Sequence, residues 1–296
     1  MNLFSNLLRR EERPAGLSGG AGAAQVQPPS NSEAVEPREN TQSPRIRILT
    51  CSIPPNSPIF PFDGRDRRAA EQYRLVRTKI AHHPGNIKLI AVSSPDAGDG
   101  KTVTAVNLAG ALALKNESDT LLVDADWRRS RIAASLGIPA TPGLADVLAG
   151  RCPVHEAIVR LTSPPNLYVL PSGRDLRNAT ELLDSRQWRA LTADFRAHFN
   201  YTVIDTTPVG VVADYELVQA LVDGVIIVVR PDHTNRARCY AALNAVASEK
   251  LLGVVTNCVS DSFLSPAYTR GYQYYSQPGE HVTRVNDESG EEGERP

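Results

Sequence analysis

The sequence predicts an α/β fold, a largely parallel sheet doubly wound by helices, lying between two segments that carry no core pattern. The first observation is a set of five apolar runs, Ile87–Val92, Thr120–Val123, Tyr201–Ile204, Gly224–Val229 and Leu251–Val255, which alternate with stretches of helical periodicity. Runs this apolar suit strands buried on both faces, as in parallel sheets. Second, three of the runs end abruptly on a glycine-rich loop or on aspartates, at the strand ends where such a sheet forms its ligand crevice. Third, residues 1–64 and 261–296 lack that patterning. The first segment reads as a flexible tether, 65–260 as one domain, and the last as a disordered tail.

At the N-terminus Leu3, Phe4, Leu7 and Leu8 would share one side of a short helix, followed by Arg9, Arg10 and Arg13. That is a docking element or, because so short a helix is marginal in water, a frayed end. Pro14 to Pro44 is rich in Gly, Pro, Ala and Ser and has almost no large apolar residue. Ile46 to Ile53 is apolar, but Pro54, Pro55, Pro58 and Pro61 follow it. It can lie extended against the domain and cannot be a central strand. Arg65 to Ala81, free of Gly and Pro, reads as a helix with Tyr73, Val76 and Ile80 toward the core. Glu71, Arg74 and Arg77 step by three along another side, either as a solvated face with an internal ion pair or as a contact surface for a neighbouring subunit.

The stretch Ser93-Ser94-Pro95-Asp96-Ala97-Gly98-Asp99-Gly100-Lys101-Thr102 joins the first apolar run to a helix-like segment from Val103 to Leu114. It reads as strand, phosphate loop, helix. Gly98 and Gly100 let successive N–H groups turn toward an anion, Lys101 would reach the outer phosphates, and the Thr102 hydroxyl would meet Mg²⁺. The usual pattern G-x-x-x-x-G-K-[ST] has Gly where this chain has Pro95.

After Thr120–Val123 come Asp124, Asp126 and Arg128; period two puts both carboxylates on one side of the strand end. A lone aspartate there is ordinarily a cap, whereas a pair can reach the metal and phosphates. Asn166 to Leu170 is a further strand, and Ala179 to Phe199 is helical. Tyr201–Ile204 ends on Asp205, placed to hold Mg²⁺ through water or to hold the Thr102 hydroxyl. Leu217 to Leu221 and Asn235 to Ala247 read as helix, and the last apolar run ends at Asn257.

Beyond Ser260 the periodicity stops. Tyr268, Tyr272, Tyr274 and Tyr275 lie close together although the chain has only nine tyrosines, so this is not core. The acidic stretch from Asp287 to Glu294 is a solvated terminus. A net charge of −1 and a pI near 6.6 argue against a dedicated nucleic-acid binder. Cys51, Cys152, Cys239 and Cys258 form no C-x-x-C, so neither zinc nor a disulfide framework is indicated, and reduced thiols in cytoplasm are expected. No run approaches the length of a membrane span.

From about Arg65 to Tyr275 these motifs resemble the bacterial tyrosine kinases of capsule and exopolysaccharide synthesis, relatives of the ParA/MinD P-loop ATPases. The matching residues are the loop SSPDAGDGKT, the D-x-D-x-R of Asp124, Asp126 and Arg128, Asp205, the E-x-x-R-x-x-R of Glu71, Arg74 and Arg77, the segments TPGLADVLAG and LLGVVTN, and the tyrosine cluster. Members often lack the first loop glycine. The usual Asp-Thr-Pro-Pro stands here as Asp205-Thr206-Thr207-Pro208.

The resemblance implies a P-loop fold, ATP and Mg²⁺ as cofactors, and autophosphorylation in trans of Tyr268, Tyr272, Tyr274 and Tyr275. It assigns Ala97, Gly98, Asp99, Gly100, Lys101, Thr102 and Val103 to the nucleotide and Asn257 to the adenine edge. Lys101 goes to the transferring phosphoryl group and Asp124 to activating the acceptor hydroxyl, while Thr102, Asp126 and Asp205 go to the metal. Glu71, Arg74 and Arg77 are implied in a homo-oligomer. A membrane polysaccharide co-polymerase is implied as adaptor in trans, holding a cytoplasmic protein at the inner face of the membrane. Two other readings share the fold: a ParA/MinD-like regulatory ATPase, and a nucleotide-gated interaction protein whose aromatic tail binds. The ParA/MinD-like relatives carry a second lysine early in the loop, and Ser93 to Gly100 has none.

Overall fold

Apolar runs alternating with amphipathic segments can bury both faces of a sheet only if helices return each strand to the same direction. The computed structural model, which describes residues 46–259 apart from 55–56, 61, 63–65, 116 and 175–177, has that arrangement. The chain runs β1 (Arg47–Leu49), α1 (Arg67–Ala81), β2 (Leu89–Ser93), α2 (Lys101–Ala113), β3 (Thr120–Asp124), α3 (Ile132–Leu136), α4 (Leu144–Leu148) and α5 (Val154–Ala157). It continues through β4 (Val159–Leu161), β5 (Leu167–Leu170), α6 (Ala179–Leu183), α7 (Arg186–His198), β6 (Tyr201–Asp205), α8 (Asp214–Gln219), β7 (Gly224–Val229), α9 (Arg236–Ala245) and β8 (Leu251–Thr256).

The eight strands lie in the order β1-β4-β5-β3-β6-β2-β7-β8, and every pair is parallel except β4 with β5. The expected parallel sheet is therefore present. Its centre matters most here: β6 lies between β3 and β2, with Asp124 paired in register to Asp205. The strand ends that carry the aspartates thus adjoin the strand that leads into the phosphate loop.

One face of the sheet packs on Trp188, Phe195, Phe199 and Tyr215, the other on Leu108, Leu112, Ile132 and Leu136. Each such side chain contributes about 1.5–3 kcal/mol by leaving water. Helix α2 is buried along most of its length, between the sheet and α1. That burial is what fixes its N-terminus, and with it Lys101, relative to the strands.

Three expectations need correction. The folded domain begins before residue 65, because β1 pairs with β4 at the sheet edge and Ile59 and Phe60 are buried in the α2-side core. The prolines bar a central strand, but an edge strand needs a ladder on one side only. Asn107 of α2 holds this segment, accepting from Phe60 N at 2.7 Å and donating to the Pro58 carbonyl at 2.8 Å. Second, Ala179 to Phe199 is two helices, since Ser185 caps α7 by accepting from Trp188 N (3.1 Å) while its hydroxyl donates to the Leu182 carbonyl (2.6 Å). Third, α1 begins at Arg67, where Asp66 caps it by accepting from Ala69 N. Within α1, Ile80 is buried and Tyr73 and Val76 pack on the same core, as the periodicity required. The N-terminal apolar segment and the tail tyrosines lie outside the described residues.

The start of β2 is fixed by Asp223, which accepts from the N–H groups of Lys88 and Leu89 and pairs with both Arg196 nitrogens at 2.7 and 3.0 Å. Although burial raises it, Arg196 and these N–H donors hold the carboxyl below its ordinary range. A depressed carboxyl contributes stability above its unfolded value and loses it as pH falls through the folded one. We expect Asp223→Asn to cost about 2 kcal/mol at pH 7 and much less at pH 3. Urea melts of both proteins at the two pH values check this; an equal loss at both would show that charge is not the cause.

Candidate active site

The loop after β2 needs glycine for a reason visible in its backbone: Gly98 and Gly100 have φ of +98° and +97°, which side-chain-bearing residues rarely adopt. Gly100 also has no room, since a Cβ there would lie 1.8 Å from Asn257 Nδ2. Lys101 and Thr102 open α2, so a ligand of the loop also meets the positive end of that helix. The loop is braced from outside by the segment that follows β7. Asp99 is fully buried and accepts from Asp96 N at 2.9 Å and from Thr234 Oγ1 at 2.7 Å; His233 Nδ1 lies 2.8 Å away. The Asp99 carboxylate is therefore committed to bracing the loop. Asn257, expected at the adenine edge, donates its Nδ2 to the Asp99 carbonyl at 2.9 Å and so acts as another brace.

Lys101 and the three aspartates come together as the sequence indicated. The Lys101 ammonium pairs with Asp126 and stands 3.8 Å from Asp205 Oδ1. Burial works against its charge, but Asp205, Asp126 and Asp124 outweigh that and raise its pKa. Asp205 is fully buried; burial, opposed by Lys101 and the Thr102 hydroxyl, pushes its pKa up. Asp124 is also pushed up, by burial and by the charge of Asp205. Its Oδ2 accepts from Ser130 Oγ (2.8 Å) and Ile132 N (3.3 Å), and its Oδ1 has no partner. Three carboxylates and one ammonium in a dry pocket leave excess negative charge and unpaired oxygens, which a divalent cation would neutralise.

The surface beside them is a cavity of about 550 Å³, lined by the loop from Asp96 to Gly98, by Gly100 to Val103, and across from these by Asp126, Arg128, Thr207 and Pro208. That volume suits a nucleotide. Asp124 and Asp205 are fully buried and do not line the cavity. One partnership escaped the sequence reading. Arg128 is held by the buried Asp214 through Nε at 3.1 Å, and Thr180 Oγ1 donates to the same carboxylate at 2.6 Å. Asp214 is nearly ninety residues from Arg128, and no local spacing signals the pair. On α1, Arg74 pairs with Glu71 at 2.7 Å and Arg77 donates to the Ala111 carbonyl at 3.2 Å.

A family model described as an AAA domain matches residues 87–246. Tyrosine-protein kinase CpsD of Streptococcus agalactiae serotype Ia is 31% identical over 199 residues, covering 66% of this chain and 85% of the relative. The chain belongs to the bacterial tyrosine-protein kinase family. Tyrosine-protein kinase YwqD of Bacillus subtilis strain 168 is 32% identical over 64% of this chain and 80% of its own length. Among solved structures, the chimerical protein CapA2B2 is 29% identical with a TM-score of 0.65, over 72% of this chain and 95% of that one. The VpsO kinase domain is 28% identical with a TM-score of 0.60, over 67% and 99%. The residues matched by the AAA-domain model include the phosphate loop, the D-x-D-x-R segment and Asp205, which this fold gathers at adjacent strand ends.

Proposed function

We propose that this chain is an ATP-dependent protein-tyrosine autokinase that phosphorylates its own C-terminal cluster in trans and so regulates capsule or exopolysaccharide synthesis and export. The observation that carries the reading is the convergence of Lys101, Asp126 and Asp205 beneath a glycine-bent phosphate loop, in a chain of the tyrosine-kinase family.

Phosphoryl transfer asks the protein mainly for positioning and charge stabilisation. The loop N–H groups and the α2 N-terminus hold the phosphates, and Lys101 turns from Asp126 toward the phosphoryl group that leaves. Among the described residues no set of three or more carboxylate, imidazole or thiolate ligands is arranged to hold a metal by itself. Mg²⁺ takes few protein oxygens alongside phosphate and water. The carboxylates of Asp205 and Asp126 and the Thr102 hydroxyl would be the oxygens that hold it. When bound, Mg²⁺ would offset charge on the phosphates. A tyrosine hydroxyl, with a pKa of about 10, needs a proton acceptor as it attacks. Asp124 has a raised proton affinity and one unpaired oxygen, the properties wanted of that acceptor.

Among the described residues no helix is long and apolar enough to cross a membrane. We assign the adaptor role to a membrane polysaccharide co-polymerase acting in trans, and the Glu71, Arg74 and Arg77 face to contact with a second copy. The test of transfer between subunits mixes a Lys101→Met chain having an intact tail with an active chain whose Tyr268, Tyr272, Tyr274 and Tyr275 are Phe. Mass spectrometry should find phosphotyrosine on the inactive chain. Its absence from both chains, with the wild type active, would refute transfer in trans. An inactive wild type, even with its membrane partner, would favour a nucleotide-gated interaction protein.

A further inference from the structure

Two residues past Asp205 stands a side chain that the chemistry above leaves unused. Thr207 lines the cavity near Lys101, Asp126 and Pro208, is 1% exposed, and its hydroxyl has no hydrogen-bond partner. A buried hydroxyl left unpaired costs about 1–3 kcal/mol, so the group calls for an explanation.

The backbone around it is held firmly. The Thr207 carbonyl accepts from Ser93 Oγ at 2.7 Å and from Thr206 Oγ1 at 3.1 Å, Thr206 N donates to the Val92 carbonyl at 3.1 Å, and Val209 N donates to the Ser94 carbonyl at 2.9 Å. These bonds tie the end of β6 to the start of the phosphate loop. Only the side-chain torsion is left to move, and one staggered step carries the hydroxyl into the place held by the methyl. The cavity wall therefore carries a hydroxyl donor on a fixed backbone with no protein partner of its own.

We propose that the Thr207 hydroxyl donates a hydrogen bond to an oxygen of the outermost phosphate of the bound nucleotide, so that the site prefers a triphosphate to a diphosphate. The assignment rests on the ATP reading of this site. The contact is lost when the outer phosphoryl group passes to the acceptor, which weakens the hold on the product. A proline at this position, as in Asp-Thr-Pro-Pro, would supply neither a hydroxyl nor an N–H; Asp205-Thr206-Thr207-Pro208 supplies both.

Calorimetric titration of the full chain with Mg²⁺-ADP and with a non-hydrolysable Mg²⁺-ATP analogue tests this in wild type, Thr207→Val and Thr207→Ser. Loss of a hydrogen bond to a charged group should weaken the analogue about tenfold or more in Thr207→Val. ADP affinity should stay within about twofold, which also reports that the variant is folded, and Thr207→Ser should restore analogue binding. Equal weakening of both nucleotides would place the hydroxyl on the metal's water or the inner phosphates and overturn the proposal. So would unchanged analogue binding in Thr207→Val, or failure of Ser to restore it. A wild type that binds neither nucleotide would bring down the ATP reading as well, an outcome distinct from loss of the triphosphate preference alone.

Discussion

Lys101→Met should lower autophosphorylation by at least about 10²–10³-fold, the scale on which removal of one preorganised charge-stabilising group acts. The structure gives the reason for so large an effect. Lys101 is the ammonium that faces Asp126 and Asp205 in a nearly dry pocket, and its raised pKa keeps it charged. Replacing it with Met removes the positive charge meant for the phosphoryl group and leaves the carboxylates to repel that group. Affinity for ATP should fall together with the rate, since the same charge serves ground and transition states. Phosphotyrosine appearance and nucleotide titration measure the two effects, and circular dichroism establishes that the variant is folded. A rate within a factor of about three of wild type would remove Lys101 from the mechanism.

Asp124→Asn should abolish transfer to a similar degree and yet stabilise the fold. Burial and the charge of Asp205 raise the Asp124 pKa, so folding holds an ionised carboxylate where a neutral group would be favoured. The sign follows from linkage: a carboxyl whose pKa is raised on folding penalises the folded state above that value. The penalty disappears below the unfolded pKa of about 3.9. An amide can still accept from Ser130 Oγ and Ile132 N, the two donors that Asp124 Oδ2 now satisfies. We therefore expect a higher melting temperature at pH 8, at roughly 2–4 °C for each kcal/mol gained in a domain of this size. The gap should close as pH approaches 4. Thermal melts across that range decide the matter; a variant less stable than wild type at pH 8 would mean that the charge is already compensated. Loss of activity with gain of stability is the pattern of a site that holds strain for its chemistry.

The sheet's inner strands and the chemistry at their ends were legible in the residues themselves. Apolar runs such as Ile87–Val92 and Gly224–Val229 carry their burial in their composition, and a loop with Gly98, Gly100, Lys101 and Thr102 carries its purpose in its spacing. Asp124 and Asp205 could be named because each follows directly on such a run, and Asp126 because it stands two residues past Asp124. What the spacing could not show was partnership. Asp214 holding Arg128, and His233, Thr234 and Asn257 bracing the phosphate loop, join positions 86 to 158 residues apart. The same holds for Ile46 to Phe60, which local pattern assigned to the tether and packing against β4 and α2 drew into the domain. Local sequence determined which segments would be buried and which strand ends would carry charge, because periodicity and backbone preference act within a few residues. The strand order β3-β6-β2 decided that those ends would meet, and with what burial and proton affinity, because desolvation and Coulomb interaction depend on distance in space.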